Sequence, residues 1–185
     1  GRYPGSLRSG AGRVSVTLRD ARATDAAALA AIYNHYIEHT TVSFEEVTLS
    51  APDMAARLAA TAEAGLPWLV ADAPGGMLGY AYAGPWNGRC AYRATVEVSI
   101  YLVPDATGAG IGTALYSALF DRLRAGGYHA VIGGIALPNP ASVALHEKFD
   151  MARVALFPEV GFKFGQWLDV GYWQVLLESQ EGEQE

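Results

Sequence analysis

The sequence predicts a single α/β domain built on a mixed sheet. Three observations carry that reading. Strand and helix patterns are interspersed along the chain instead of being segregated. Two apolar strands joined by Pro74-Gly75-Gly76 form a hairpin signal ahead of the glycine-rich turn at 108–112, so part of the sheet is antiparallel. No internal repeat and no interdomain linker divides the 185 residues, a length that suits one domain.

Residues 16–19 suit a short first strand. Thr24 is placed to cap the helix that follows, with Asp25 in its first turn. Leu29, Ile32, Tyr33, Tyr36 and Ile37 recur at helical spacing and make one apolar stripe. Ser50, Pro52 and Asp53 start a second helix that ends near Gly65. Residues 68–71 and 77–83 are the hairpin strands. From 93 to 103 the pattern alternates, with Val96, Val98, Ile100 and Leu102 on one face and Glu97, Ser99 and Tyr101 on the other. A third helix carries Ile111, Leu115, Ala118 and Leu119 and stops at Gly126-Gly127. Residues 129–137 form a buried strand pattern, and Asn139 caps a fourth helix with Pro140 at its first position. Strands over 152–156 and 167–177 complete the domain. Residues 1–15, rich in Gly, Ser and Arg with no apolar core, read as a flexible tail and not as a signal peptide. Residues 178–185 read as an acidic C-terminal tail.

Composition narrows the function. Apolar residues make up 51% of the chain, as in a globular protein. A net charge of −6 argues against a general nucleic-acid binder. The apolar runs are too short to span a bilayer, so no membrane partner is expected. Cys90 is the single cysteine, which forbids an intrachain disulfide and fits a reducing, cytoplasmic compartment. No activating partner is visible beside it, so an inert thiol is the simpler reading than a nucleophile.

The alternating strand runs directly into Thr107-Gly108-Ala109-Gly110-Ile111-Gly112 and then into a helix. A helix start offers free backbone N–H groups and a partial positive charge, and glycines let a bulky anion come close. The segment therefore reads as a cradle for a pyrophosphate, or, more plainly, as a tight turn without ligand. A P-loop would need a lysine after the glycines, and none follows. A dinucleotide fold would put a carboxylate at the end of the next strand, which instead closes on Ile135-Ala136-Leu137.

The loop, together with Ala81-Tyr82-Ala83-Gly84-Pro85-Trp86, Asn34, Thr40, Phe44-Glu45, Leu137-Pro138-Asn139, His146-Glu147 and residues 161–170, resembles the GCN5-related N-acetyltransferases, and among them the phosphinothricin and methionine sulfoximine acetyltransferases. The resemblance covers residues 16–177. It implies a mostly antiparallel sheet flanked by about four helices with splayed central strands, acetyl-CoA as co-substrate, no metal, a small-molecule amine as acceptor, and a homodimer. Ile100 and Leu102 would bond the pantetheine arm through main-chain atoms, and Gly108, Gly110, Ile111, Gly112 and Thr113 would place N–H groups on the pyrophosphate. Asn139 would donate to pantetheine as well as cap its helix.

Glu97 is the candidate general base. The acceptor amine begins mostly as ammonium and must lose a proton before it attacks a thioester. A charge on this apolar strand is costly unless used or paired. His146 stands where many of the wider superfamily carry a tyrosine thought to protonate the departing thiolate, a role an imidazolium could take. Arg89 and Arg93 suit the carboxylate of an amino-acid acceptor. Lys163, Trp167, Tyr36 and Phe44 are candidates for acceptor-pocket walls, one of them completed by a second subunit.

Two departures from the family pattern stand out. Thr107 replaces the usual Gln or Arg, which removes a contact near the phosphates. Asp150 stands where relatives usually have Gly, a position that Asp tolerates better than most residues. The resulting reading is acetyl transfer from acetyl-CoA to the α-amine of a small amino-acid-like molecule by direct attack. The alternatives are a polyamine, an aminoglycoside or a protein N-terminus as acceptor, or a regulatory domain that binds acyl-CoA without turning it over.

Overall fold

In the computed structural model, residues 3–8 and 13–178 are described. Eight strands form one sheet in the order β1-β2-β3-β4-β5-β6-β8-β7. They are β1 (Tyr3–Arg8), β2 (Arg13–Asp20), β3 (Trp68–Ala73), β4 (Gly76–Pro85), β5 (Thr95–Leu102), β6 (Ala130–Leu137), β7 (Ala152–Lys163) and β8 (Gln166–Leu176). The helices are α1 (Ala26–His39), α2 (Ala51–Glu63), α3 (Ile111–Ala125) and α4 (Pro140–Lys148). Every neighbouring pair is antiparallel except β5 and β6. The mixed sheet is thus as expected. β1 falls within the segment read as a tail and pairs with β2 through its main chain, a signal that a hydropathy pattern does not register. The acidic stretch after Glu178 lies outside the described residues.

The sheet separates two apolar layers. On one face, Leu69, Ala71, Ala81, Ala83, Val96 and Val98 pack under Leu115, Leu119 and Leu123 of α3. On the other face, Trp68, Val70 and Tyr80 pack under Leu29, Ile32, Tyr33 and Ile37 of α1 and Met54 and Leu58 of α2. β3 is therefore apolar on both faces, as a strand covered by helices on both sides must be.

Local chemistry sets the helix ends. Ser50 caps α2, accepting from the Asp53 N–H at 3.2 Å while Asp53 accepts from the Ser50 N–H at 2.9 Å. Asn139 caps α4 in the same way, accepting from the Ser142 N–H at 3.1 Å. Thr24 does not cap α1. It lies in a 3-10 turn, Ala23–Asp25, where the Asp25 carboxylate accepts from the Arg22 N–H and pairs with Arg19 at 2.8 Å. A carboxylate held by a guanidinium is the stronger acceptor, so the turn forms around Asp25. Asp150 does take the left-handed conformation after α4, with φ of 60°. None of the described helices is long and apolar enough to cross a membrane.

The feature that positions the site is the seam between β5 and β6. These strands pair only at Thr95–Ala130, Val96–Val131 and Glu97–Ile132 and then part. On the β4 side of β5, Val103 donates to Leu78 at 2.9 Å and Trp86 to Thr95 at 3.4 Å. Antiparallel pairs alternate between bonded and non-bonded, so Val98, Ile100 and Leu102 turn their main-chain groups away from β4 and into the seam. On the β6 side, Leu177 donates to His129, and the same alternation turns Gly134 and Ala136 into the seam from the opposite wall.

Candidate active site

The glycine loop closes one end of the seam. Gly108 and Gly110 have φ of 78° and 81°, the left-handed region that favours glycine, and Gly110 is the N-cap of α3. Beyond it, Ile111, Gly112 and Thr113 stand in the first turn, where amides have no partner within the helix. These are the loop residues expected to meet a pyrophosphate, and the structure brings them together. The Thr107 hydroxyl is turned back onto the Pro104 carbonyl at 2.9 Å, so it stays within the loop.

A small cavity of about 50 Å³ fills the seam. Its lining includes Val98, Ile100, Gly134, Asn139, Tyr116 and His146. Ile100 and Asn139 thus both line this cavity. The Leu102 carbonyl is already engaged, because the Tyr36 hydroxyl donates to it. Tyr36 therefore ties α1 to the end of β5, and burial raises its phenol above the ordinary value despite that bond. It is not among the residues that line the cavity.

His146 is 3% exposed. Its Nδ1 lies 2.7 Å from the Ser142 carbonyl, and a carbonyl only accepts, so Nδ1 carries the ring hydrogen. Nε2 is then an acceptor, 3.1 Å from the Tyr116 hydroxyl, which donates to it. Desolvation lowers the imidazole below its ordinary value, which keeps it neutral. A Cβ at Gly133 would sit 2.5 Å from His146 Nε2, so β6 needs glycine there for α4 to close on it. No sequence pattern singles out Tyr116. It is fully buried, and its hydroxyl faces His146 through the packing of α3 on α4.

Glu97 lies on the opposite face of β5, where the paired part of the seam ends. Among the described residues it has no cationic partner, and desolvation alone raises its carboxyl above the ordinary glutamate value. Its neighbours are aromatic. A Cβ on Gly134 would lie 3.1 Å from the Tyr172 ring and 3.3 Å from Glu97 Oε1. Tyr172 in turn makes edge contacts with Trp86 and Phe157, at 5.6 and 5.7 Å between ring centres. No local pattern marks this wall, since its members come from β7, β8 and the residue that follows β4.

The other candidates divide. Arg89 and Arg93 flank the 3-10 turn Cys90–Tyr92 ahead of β5 and are exposed. Neither forms an ion pair among the described residues, although the Arg93 guanidinium donates to the Cys90 carbonyl at 3.3 Å. Phe44, in the loop after α1, packs against β7 so closely that a Cβ at Gly161 would collide with its ring. Lys163 was expected in a pocket wall. It is 3% exposed instead, and its ammonium donates to the Thr40 and Ser43 carbonyls at 2.9 and 2.6 Å, which pins β7 to the loop after α1. Trp167 is exposed and packs on Phe162, away from the cavity lining.

Comparison with known proteins follows the same outline. The acetyltransferase (GNAT) domain family matches residues 18–171. A phosphinothricin N-acetyltransferase from Alcaligenes faecalis is 42% identical over 158 residues, covering 85% of this chain and 80% of that protein. An L-methionine sulfoximine/L-methionine sulfone acetyltransferase from Pseudomonas paraeruginosa is 39% identical over 166 residues, covering 89% and 96%. The crystal structure of a GNAT superfamily phosphinothricin acetyltransferase from Sinorhizobium meliloti, in complex with AcCoA, superposes with a TM-score of 0.86 at 39% identity, covering 91% of this chain and 92% of that one.

Proposed function

The chain belongs to the GNAT acetyltransferase family, and from that premise we propose that it transfers an acetyl group from acetyl-CoA to the α-amine of a small amino-acid-like molecule. One observation carries the reading: strand pairing stops at Glu97, so an open main-chain edge and a desolvated carboxylate adjoin each other. The residues present fit the co-substrate. The glycine loop offers amides to a diphosphate, and Val98, Ile100, Gly134 and Ala136 offer main-chain groups to an extended amide arm. The acetyltransferase unit takes in the sheet from β2 to β8 and the four helices. The exposed single thiol, Cys90, fits work in the cytoplasm.

Acetyl-CoA, when bound, supplies the activated acetyl thioester. Glu97 takes a proton from the acceptor ammonium through a water, and Arg89 and Arg93 hold the acceptor carboxylate. Tyr116 supplies the hydrogen bond that the departing sulfur needs. With Nδ1 as the protonated nitrogen, His146 has no hydrogen at Nε2 to give, so the one hydrogen of the pair is the Tyr116 hydroxyl's. A developing thiolate is a stronger acceptor than neutral imidazole and draws that hydrogen toward itself. His146 holds the hydroxyl in place until then.

The test is free CoA release, followed with a thiol reagent across a panel of amines. Glufosinate and methionine sulfone are expected to release CoA, and spermidine is not. Preference for spermidine would move the acceptor to the polyamines. No saturable heat on titration with acetyl-CoA or CoA would remove the cofactor assignment altogether.

We further propose that the active form is a homodimer. β7 is an edge strand, and it exposes Val154, Leu156, Phe157, Val160 and Phe162 beside Trp167 of β8. An apolar stretch of that size on a sheet edge favours a partner surface. Sedimentation velocity is expected to show a dimer, and the paired substitution Val160→Glu with Trp167→Glu to give monomers with the same far-UV circular dichroism. A wild-type monomer at micromolar concentration would refute this.

A further inference from the structure

We propose that Lys148 binds the pyrophosphate of acetyl-CoA, taking the place of the cation that the glycine loop lacks. The inference rests on the acetyl-CoA reading above and names a residue outside the loop. Residues 104–113 contain no Lys or Arg, and their one charged side chain, Asp105, is an acid. Thr107 spends its hydroxyl on Pro104. Any cation for a diphosphate at this loop must therefore arrive from another element.

α4 delivers one. Lys148 ends that helix, and its Nζ donates to Thr113 Oγ1 at 3.3 Å. Thr113 is the third residue of α3, so the ammonium stands at the end of α3 where unpaired amides gather. A cation beside the positive end of a helix is electrostatically misplaced unless an anion lies with it. Lys148 is exposed and makes no ion pair among the described residues, so no carboxylate of the chain supplies that anion. A diphosphate would, and it would meet both the amides and the ammonium. The competing role for Lys148 is purely structural, as a cation at the C-terminal end of its own helix.

Three thioesters separate these roles: acetyl-CoA, acetyl-dephospho-CoA, which keeps the pyrophosphate and lacks the 3′-phosphate, and S-acetylpantetheine, which has neither. Lys148→Ala is expected to raise KM for acetyl-CoA about 3- to 10-fold, the size of one ordinary hydrogen bond at an exposed site, with kcat and the acceptor KM unchanged. The same rise is expected with acetyl-dephospho-CoA, and none with S-acetylpantetheine. Lys148→Arg should restore most of the affinity. The wild-type KM for acetyl-CoA should climb more steeply with salt than that of the alanine variant. Equal KM values in both proteins, or an equal rise with all three thioesters, would overturn the proposal while leaving the acetyltransferase reading intact. An effect that vanishes with acetyl-dephospho-CoA would overturn the pyrophosphate assignment in favour of the 3′-phosphate. A wild-type protein that neither binds acetyl-CoA nor releases CoA would overturn both readings together.

Discussion

Glu97→Gln is expected to lower kcat by at least about 100-fold, the usual range for loss of a general base, with calorimetric affinity for acetyl-CoA unchanged. Glutamine keeps the shape of the side chain and its place on β5, so the seam and the loop are untouched. It removes only the group that accepts the proton. The wild-type pH profile should show the same group. Burial raises the Glu97 carboxyl above the ordinary glutamate value, so kcat/KM should fall on the acid side at a pH higher than that of a free glutamate. The stability consequence has the opposite sign from the catalytic one. A folded-state pKa raised above the unfolded value means that the native state disfavours the charged form, so stability is lost as pH rises through the folded pKa. Glutamine carries no such cost. The variant should therefore melt above the wild type at pH 8 and alongside it at pH 4. Unchanged turnover at all pH values would remove Glu97 from the reaction. Reduced turnover with a lower melting temperature at pH 8 would make it a structural residue instead.

Glu97 was legible in the sequence because a carboxylate on an apolar alternating strand conflicts with its surroundings. The glycine loop was legible because a turn needs fewer glycines than it has, and Asn139 because capping is local chemistry read from adjacent residues. The residues that escaped depend on contacts across the chain. Tyr116, which no sequence pattern marks, meets His146 thirty positions away only when α3 and α4 pack on the same face of β6. Tyr172, Trp86 and Phe157 form a wall because β8 lies between β6 and β7, an order that no local pattern encodes. Lys163 was misplaced for a related reason. A lysine beside aromatic residues in a family motif suggests a ligand contact, yet its ammonium is consumed by two carbonyls more than a hundred residues upstream. Tyr36 repeats the lesson from the other side. Its ring follows the helical stripe as expected, and its hydroxyl occupies the carbonyl of Leu102, one of the residues whose main chain the resemblance gave to pantetheine.

Tyr116→Phe tests how the departing sulfur is stabilised, and it should affect both stability and rate. Removing the hydroxyl leaves His146 Nε2 buried without a donor, at a cost of about 1–3 kcal/mol. For a chain of this size that lowers Tm by roughly 2–4 °C per kcal/mol. His146→Gln should cost a similar amount, because it orphans the Tyr116 hydroxyl. If the two side chains act as one unit, the double variant will lose less than the sum of the single ones, and the shortfall is their coupling energy. On the rate, Tyr116→Phe is expected to lower kcat about 10- to 100-fold with little change in KM for acetyl-CoA, since the hydroxyl is needed only as charge develops on sulfur. His146→Gln keeps the tyrosine and should lose less. If His146 were instead the proton donor, it would have to act as imidazolium. Its depressed pKa would then impose a loss of rate as pH rises through a value below that of a free histidine, and the glutamine variant would lack that limb. The stability curve gives an independent reading of the same group. A histidine whose folded pKa is lowered stabilises the fold above its unfolded value of about 6.5 and ceases to as pH falls through the folded one. The wild type should therefore lose stability on the acid side through His146, and His146→Gln should flatten that slope. A larger rate loss in His146→Gln than in Tyr116→Phe would return the donor role to the imidazole and reduce Tyr116 to its support.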